Sequence, residues 1–161
     1  MANIEYSASG PESLDEIKPL WEILNRYIST ISPHFGDIVL LRTFEARKGE
    51  LQEKGLRGAL RVDLARDVST GQVIGYAVTT LSEADAGEID SIFVQEAYRR
   101  TGVGKNLMKR ALAWLDENRA RTKTIVVSTG NEHVHEFYRR FGFYPRATKL
   151  MQKTDLSTTA P

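Results

Sequence analysis

The chain has 161 residues, of which 41% are hydrophobic and 27% are charged, and its formal net charge is +1. This length suits one compact domain, no stretch approaches the ~20 apolar residues of a membrane span, and the balanced charge confines any basic patch to a local region. The lack of cysteine excludes disulfides, thiol nucleophiles and thiolate metal sites, and with no secretory leader at the N-terminus we expect a cytoplasmic location.

The first half of the chain predicts a strand, two helices and a hairpin. Residues 3–8 alternate apolar and polar side chains, as a short strand does. From Ser13 to Ile28 apolar residues recur at helical spacing, which predicts a capped amphipathic helix. The segment "SPHFGD" ends it, and a second helix is expected at 37–54. Alternation in "LRVDLA", followed by "STGQ" and "VIGYAVTTL", then predicts a hairpin.

The second half alternates strands and helices. "EIDSIFV" at 88–94 predicts a strand, and a long helix is expected from Gly104. "TIVVS" at 124–128 predicts a short buried strand, residues 131–141 a helix that ends at a glycine, and 143–153 a last strand. The pattern predicts a mixed α/β sheet in a single domain, residues 1–153, followed by a short tail, residues 154–161.

The loop before the long helix combines two glycines with positive charge. Gly102 and Gly104 let the backbone bend and approach a ligand, and the free N–H groups at a helix start form an anion site. Three neighbours add positive charge: Arg99, Arg100 and Lys105. The Walker and dinucleotide patterns both fail, because each lacks a required glycine. On the residues alone, an anion site and an ordinary glycine turn beside a solvated basic patch both stay open.

The sequence around this loop resembles the GNAT superfamily of N-acetyltransferases. "RRTGVG" matches the signature (Gln/Arg)-x-x-Gly-x-(Gly/Ala), "IDSIFVQEAYR" resembles the family's fourth strand, and "NEHVHEFYRRFGF" resembles its second signature. The predicted element order agrees along nearly the whole chain. His135 departs from the family, which more often has a small residue there. The resemblance implies a central mixed, mostly antiparallel sheet flanked by about four helices, with a splayed strand pair that holds the cofactor.

The resemblance also implies acetyl-CoA as cosubstrate and direct transfer of its acetyl group to a primary amine of a small molecule or a protein. The glycine loop would bind the pyrophosphate of the coenzyme, and the backbone of the fourth strand would hydrogen-bond the pantetheine. Asn131 would contact the coenzyme in addition to capping its helix. The implied coenzyme contacts are Ile92, Phe93, Val94, Arg99, Arg100, Thr101, Gly102, Val103, Gly104, Lys105, Asn131 and Tyr138.

Acetyl transfer to an amine calls for a general base, because an alkylammonium of pKa ~10.4 is mostly protonated at neutral pH. A strand period of two places Glu88 and Asp90 on one face, with Ile92 and Val94 further along it. Glu88 aligns with the catalytic glutamate of the family's histone-acetylating branch, and both acids coincide with the two histidines of its arylalkylamine branch. Either acid is a candidate base, and ordinary surface acids at a strand end remain the alternative.

A general acid is also needed, because the reaction expels a thiolate. Tyr138 matches the family's general-acid tyrosine, and a phenol of pKa ~10 is protonated at neutral pH. The alternative is a plain core aromatic. No metal site is expected, since His133 and His135 stand two apart on a helix and point in different directions.

The acceptor site is assigned by resemblance to "YISTISPHFGD" and "YPRATK". Tyr27, His34 and Phe35, together with Glu88, are candidate lining residues, and the nearby acids indicate a cationic amine. No nucleic acid or membrane partner is expected, and homodimers are common in the family. Two alternatives remain: a nucleic-acid-binding domain that uses the helix from Gly104, disfavoured by the slight charge excess, and a non-catalytic acyl-CoA sensor.

Overall fold

The computed structural model describes residues 2–154 and contains a five-stranded sheet. The strands lie in the order β1 (Ile4–Ser9), β2 (Gly58–Asp67), β3 (Val73–Ser82), β4 (Ala86–Val94) and β5 (Thr122–Ile125). The first four are antiparallel neighbours, and β5 runs parallel to β4. The predicted mixed, mostly antiparallel α/β sheet is confirmed.

Helices cover both faces of this sheet. The described residues form α1 (Lys18–Ile31), α2 (Gly36–Leu41), α3 (Phe44–Leu56), α4 (Val103–Glu117) and α5 (His135–Arg139). One core lies between the sheet and α1 and α3, where Trp21 and Leu51 pack near Tyr76. The other faces α4, where Leu107 packs against Ile74. Burial of these apolar surfaces from water stabilises both layers.

The N-terminal half differs from the prediction at two helix boundaries. A short 3-10 helix, Pro11–Ile17, precedes α1, and Pro19 stands in the first turn of α1, where a missing N–H does no harm. The helix predicted at 37–54 is wrong as a single element. It is broken before α3, because Thr43 is extended and its Oγ1 accepts a hydrogen bond from Ala46 N–H as an N-cap.

The last part of the chain holds less regular structure than predicted. The helix expected at 131–141 is a 3-10 turn, Glu132–Val134, followed by α5. The strand expected at 143–153 is wrong, since residues 143–154 form no strand. Tyr144 and Leu150 are exposed there, so no apolar face is available to dock on the sheet, and Pro145 lacks an N–H for a strand ladder.

The predicted tail begins at the end of the described part of the chain, and residues 155–161 lie outside it. Within residues 2–154 no helix has the length and apolar character that crossing a membrane requires. The cytoplasmic location and the 1–153 domain boundary stay predictions.

Strands β4 and β5 separate part of the way along. Their parallel pairing joins Ala86–Ile89 to Thr122–Ile125 and ends there, so the strand predicted at 124–128 begins two residues earlier and stops sooner. Beyond Ile89, β4 continues to Val94 while the chain after Ile125 leaves the sheet. One edge of β4 therefore has no strand partner over its second half, which confirms the predicted splayed pair.

A β-bulge interrupts β4 at the position where the pair opens. Thr79 of β3 lies opposite Ile89, whereas Val78 lies opposite Ser91, so Asp90 is an extra residue without a cross-strand partner. An inserted residue of this kind bends the strand and disturbs its strict alternation.

The bulge changes which residues share a face. Glu88 and Asp90 both contact a lysine of α3, and Phe93 joins the core beneath α1 and α3. Ile92 and Val94 pack against the α4 core on the opposite face. The prediction that Ile92 and Val94 lie on the same face as the two acids is therefore wrong, because a period of two does not survive the extra residue.

Candidate functional site

A cavity of about 380 Å³ opens where β4 and β5 separate. Its volume lies in the range of small-molecule sites. The walls come from α1, the α2–α3 region, the bulged part of β4, the segment after β5 and the start of the last helix. The polar lining residues are Asn25, Arg42, Arg47, Glu88, Asp90, Ser91, Ser128, Asn131 and Tyr138.

Both oxygens of the Asp90 carboxylate are occupied, and its side chain has no exposed surface. Thr80 Oγ1 donates to Oδ2 at 2.5 Å, and Lys54 Nζ donates to Oδ1. Burial raises the pKa of Asp90, while the bonds from Lys54 and Thr80 oppose that rise. In this arrangement the carboxylate cannot reach a substrate proton.

Glu88 is the more accessible of the two acids. Its side chain is 33% exposed, and Oε2 accepts a hydrogen bond from Lys54 Nζ at 2.6 Å. Oε1 has no donor among residues 2–154, and Glu88 lines the cavity. Burial disfavours the charge on Lys54, but hydrogen bonds to both carboxylates raise its pKa overall, so the lysine stays cationic.

Tyr138 lies in α5 and lines the same cavity as Glu88. Phe137 and Phe143 pack edge-on against its ring, with centroids 5.2 and 6.4 Å away. Burial raises the pKa of Tyr138 to about 12, because the phenolate would lose its hydration. The phenol therefore stays protonated at neutral pH.

The glycine loop presents backbone N–H groups at the start of α4. Gly102 is the N-cap with φ +91°, a left-handed conformation that glycine adopts without strain, and nothing lies within 4 Å of the position of a Cβ. Within the described part of the chain, the amides of residues 100–105 have no hydrogen-bond acceptor. Consecutive free amides at the positive end of a helix form a site for an anion.

The predicted coenzyme contacts in this loop differ in accessibility. Arg100, Thr101 and Lys105 are exposed beside the amides, whereas the Val103 side chain is buried and offers only its backbone. Arg99 folds back instead: its Nε donates to the Val94 carbonyl at 3.0 Å, and its guanidinium lies 5.4 Å from the centroid of the Phe93 ring. Arg99 thus fixes the end of β4 to the loop.

Asn131 does not cap its helix, contrary to the prediction, because its side chain makes no cap hydrogen bond. Its Oδ1 is buried without a partner among the described residues, and Asn131 lines the cavity. A buried acceptor without a donor costs roughly 1–3 kcal/mol, so a donor from a ligand would relieve it. His135 is partly buried at the start of α5 and does not line the cavity.

The open edge of β4 carries the other predicted coenzyme contacts, Ile92, Phe93 and Val94. Of these three residues, Ile92 lines the cavity. The edge has no strand partner past Ile89, so its peptide groups can pair with an extended ligand such as the amide-containing pantetheine arm.

The residues predicted to line the acceptor site lie elsewhere. Tyr27, His34 and Phe35 are not among the residues that line the cavity, and Tyr27 and His34 are exposed. The cavity is lined instead by Arg42 and Arg47 and by an apolar stripe of α1: Trp21, Leu24 and Ile28.

Sequence reasoning missed Arg42, Arg47 and Lys54. All three fall in the segment 37–54, which was predicted as one helix. Thr43, a good N-cap residue two positions before an acid, is the signal that could have revealed the break and hence the orientation of α3. Nothing local indicates that Lys54 meets carboxylates 34 and 36 residues away in the chain.

Residues 29–143 match the model of the acetyltransferase (GNAT) family. The match spans most of the chain, so this protein belongs to the GNAT acetyltransferase family, and the resemblance inferred from the two signatures is confirmed. No curated protein matches the sequence.

Solved structures with the same fold include several acetyltransferases. A GCN5-related N-acetyltransferase from Ralstonia eutropha is 17% identical with a TM-score of 0.71, and 95% of this chain and 99% of that chain are covered. A ribosomal-protein-alanine N-acetyltransferase from Brucella melitensis is 16% identical with a TM-score of 0.64, over 95% and 100%. The aminoglycoside N-acetyltransferase AAC(6')-Iy, solved in complex with CoA, is 16% identical with a TM-score of 0.64, over 96% of both chains.

Proposed function

We propose that this protein transfers the acetyl group of acetyl-CoA directly to a primary amine, with Glu88 as general base and Tyr138 as general acid. The observation that carries the proposal is that Glu88, which has a free carboxylate oxygen, and the protonated Tyr138 line one cavity, at the point where the strand pair opens. Membership of an acetyltransferase family supports it, and residues 1–153 would form the catalytic domain.

The coenzyme would lie across the glycine loop and along the open edge of β4. The free amides of residues 100–105 and the charges of Arg100 and Lys105 suit its pyrophosphate. The edge at 92–94 suits the pantetheine arm, and Asn131 offers its unsatisfied oxygen to a donor of that arm. When bound, acetyl-CoA supplies the thioester; the protein supplies orientation and proton transfer.

Glu88 is the better base because its Oε1 is free and the residue lines the cavity. It would take the proton of the attacking amine, directly or through one water. Asp90 is buried and doubly hydrogen-bonded, so we propose that it positions Lys54 and thereby orients Glu88. Backbone N–H groups of the bulged segment would face the developing oxyanion, where a single donor contributes about 3 kcal/mol.

Tyr138 would return a proton to the departing thiolate. A pKa of about 12 keeps the phenol protonated throughout the neutral range. Because the thiol, with a pKa near ~8.5, is the stronger acid, Tyr138 would act first as a hydrogen-bond donor to the sulfur while the C–S bond breaks, and a phenolate formed by full transfer would regain its proton from water.

The test is acetyl-CoA turnover against a panel of primary amines, measured as release of free thiol. Glu88→Gln and Tyr138→Phe should each lower kcat by about 10²–10⁴-fold, because each removes one proton-transfer group. Coenzyme binding, measured by calorimetry, should change little in either variant.

Glu83→Gln is the matched control, since Glu83 is an exposed acid in the turn between β3 and β4, outside the cavity. Full activity of Glu88→Gln would contradict the assigned base. Tight coenzyme binding without turnover of any amine would instead favour the non-catalytic acyl-CoA sensor.

A further inference from the structure

Two arginines from the α2–α3 region line the cavity. Arg42 Nη2 and Arg47 Nη1 both donate to the same oxygen of Glu50, Oε2, the latter at 3.2 Å. Two guanidinium groups therefore share one carboxylate of Glu50, and Arg47 Nη2 also lies 3.8 Å from Oδ1 of Asp90. Glu50 itself does not line the cavity, whereas both arginines do.

The acidic side of the cavity lies on β4. Glu88 and Asp90 carry two carboxylates, and Lys54 lies between them at hydrogen-bonding distance. With the arginines included, three cations (Arg42, Arg47 and Lys54) balance three carboxylates (Glu50, Glu88 and Asp90). The cavity therefore lacks the concentrated negative charge that the sequence predicted for a cationic acceptor.

The arginines lie close to this acidic side. Arg47 Nη2 donates to the main-chain oxygen of Asp90 at 3.0 Å, so the guanidinium touches the bulge two residues from Glu88. Two residues of extended strand span about 6.6 Å, and a small amino acid, whose amine and carboxylate are joined through one carbon, can span that distance with a hydrogen bond at each end.

The arginines retain unused hydrogen-bond donors. Each guanidinium has five N–H groups; Arg47 uses two nitrogens for Glu50 and Asp90, and Arg42 uses one. A planar guanidinium binds a carboxylate through two parallel hydrogen bonds. Only 14% of the Arg47 side chain is exposed, so an ion pair formed there would be screened weakly by solvent.

We propose that the acceptor is a small amino carboxylate, whose carboxylate is bound by Arg47 and Arg42 while its amine is delivered to Glu88. This inference rests on the proposed acetyl transfer and names the substrate class of that site. The apolar stripe of α1, Trp21, Leu24 and Ile28, would contact an apolar side chain of the acceptor. A polycation would bring several charges against Arg42, Arg47 and Lys54, which is unfavourable in a partly buried site.

The inference is tested with acceptor pairs that differ in the carboxylate alone. Phenylalanine is compared with phenethylamine and leucine with isopentylamine, and a polyamine and an aminoglycoside are included. Each kcat/KM is corrected for the fraction of free amine at the assay pH. We expect the amino acid of each pair to be preferred by at least about 10-fold, the size of a hydrogen bond to a charged group.

Variants locate the source of that preference. Arg42→Gln should bring the ratio of kcat/KM for the amino acid to that for its matched amine closer to one, through a higher KM for the amino acid. Arg47→Lys should lower this ratio further, because an ammonium keeps the charge but not the planar fork. Arg57→Gln is the matched control, since Arg57 directly follows α3, lies outside the cavity and has 77% of its side chain exposed, and it should keep the full preference.

The outcomes separate the two proposals. Equal kcat/KM within each pair would overturn the amino-carboxylate inference and leave acetyl transfer standing. Preference for the polyamine or the aminoglycoside would overturn it in the same way. If the coenzyme binds and no amine of the panel is acetylated, the proposed function fails and this inference fails with it. Equal losses for both members of a pair in Arg47→Lys would assign Arg47 a purely structural role.

Discussion

Lys54 lies between the two carboxylates of β4 and gives them different roles. Its Nζ donates to Glu88 and to Asp90, and the second of these is completely buried. A buried carboxylate needs a partner, because an isolated charge away from water is strongly unfavourable. Lys54 supplies that partner, so Asp90 is held in the interior and Glu88 remains the acid that faces the cavity.

Replacing Lys54 tests this arrangement through stability. Lys54→Met keeps much of the aliphatic stem but leaves the buried Asp90 with Arg47, 3.8 Å away, as its one charged partner among the described residues. The lost hydrogen bond to a charged group should lower the free energy of unfolding by about 1.5–3 kcal/mol in urea titrations at pH 7. The control is Lys48→Met on the same helix, because Lys48 pairs only with the exposed Asp15 at 2.7 Å. It should cost less than about 1 kcal/mol. Similar losses in the two variants would show that Asp90 does not depend on Lys54.

The loop before α4 is connected to the sheet through the buried carboxylate of Asp67. Asp67, at the end of β2, accepts a hydrogen bond from the Tyr98 hydroxyl at 2.7 Å and two from Ser69. Tyr98 ends the short 3-10 turn before the glycine loop, and its own carbonyl accepts a bond from Thr101. The β2–β3 hairpin therefore positions the segment that presents the free amides.

The contribution of the Asp67 carboxylate to this attachment can be measured from the pH dependence of the free energy of unfolding. Hydrogen bonds from Ser69 and Tyr98 lower the pKa of Asp67, so the ionised form stabilises the fold. That contribution is fully present above the unfolded-state pKa near ~3.9 and is lost as the pH falls through the lower folded-state pKa. Asp67→Asn should therefore be less stable than the parent at pH 5–7, and the difference should shrink below pH 4.

Urea titrations from pH 2 to pH 7 measure that difference directly. Because Tyr98 leads into the glycine loop, Asp67→Asn should also raise the KM for acetyl-CoA more than it lowers kcat. A stability difference that is constant across this pH range would assign the effect to packing, and the ionised carboxylate would then have no special part.

The whole molecule is arranged around the opening of one strand pair. Four residues of β5 pair with β4, and helices on the two faces hold the separated ends apart. The candidate coenzyme contacts come from two parts of the chain, residues 92–105 and residues 131–138, which the fold brings together. A ligand that joins them binds the folded state alone and must stabilise it.

Thermal unfolding with and without coenzyme tests whether the coenzyme stabilises the folded protein. At 100 times its dissociation constant, CoA should add about 2.7 kcal/mol and raise the Tm by roughly 5–10 °C. Gly102→Ala should abolish most of that rise, because alanine is strained at φ +91° and shifts the amides.

Gly71→Ala is the matched control for that experiment. Gly71 has φ +71° and open space around it, but it lies in the β2–β3 turn. Both variants should lose a similar amount of stability without ligand, and only Gly102→Ala should lose the response to CoA. An undiminished Tm rise in Gly102→Ala would contradict binding of the coenzyme at the loop.

The sequence by itself determined the local elements and the family. The alternation in β2 and β3, the helical spacing after Gly104 and the two glycines are patterns within a few neighbouring residues, and the physics that forms a strand, a helix or a turn acts over the same distance. The signatures around 99–104 and 131–143 indicated the family on which the proposed acetyl transfer rests.

The tertiary structure decided which charged groups pair with each other and which residues of β4 share a face of the sheet. The bulge at Asp90, the break before α3 and the lack of a final strand depend on what packs alongside, which no local period encodes. Lys54 meets its carboxylates across 34 and 36 residues, and Arg47 meets the Asp90 carbonyl across 43. From the sequence, Glu88 and Asp90 are equivalent candidate bases. The long-range contacts distinguish them, because they occupy both oxygens of Asp90 and only one oxygen of Glu88.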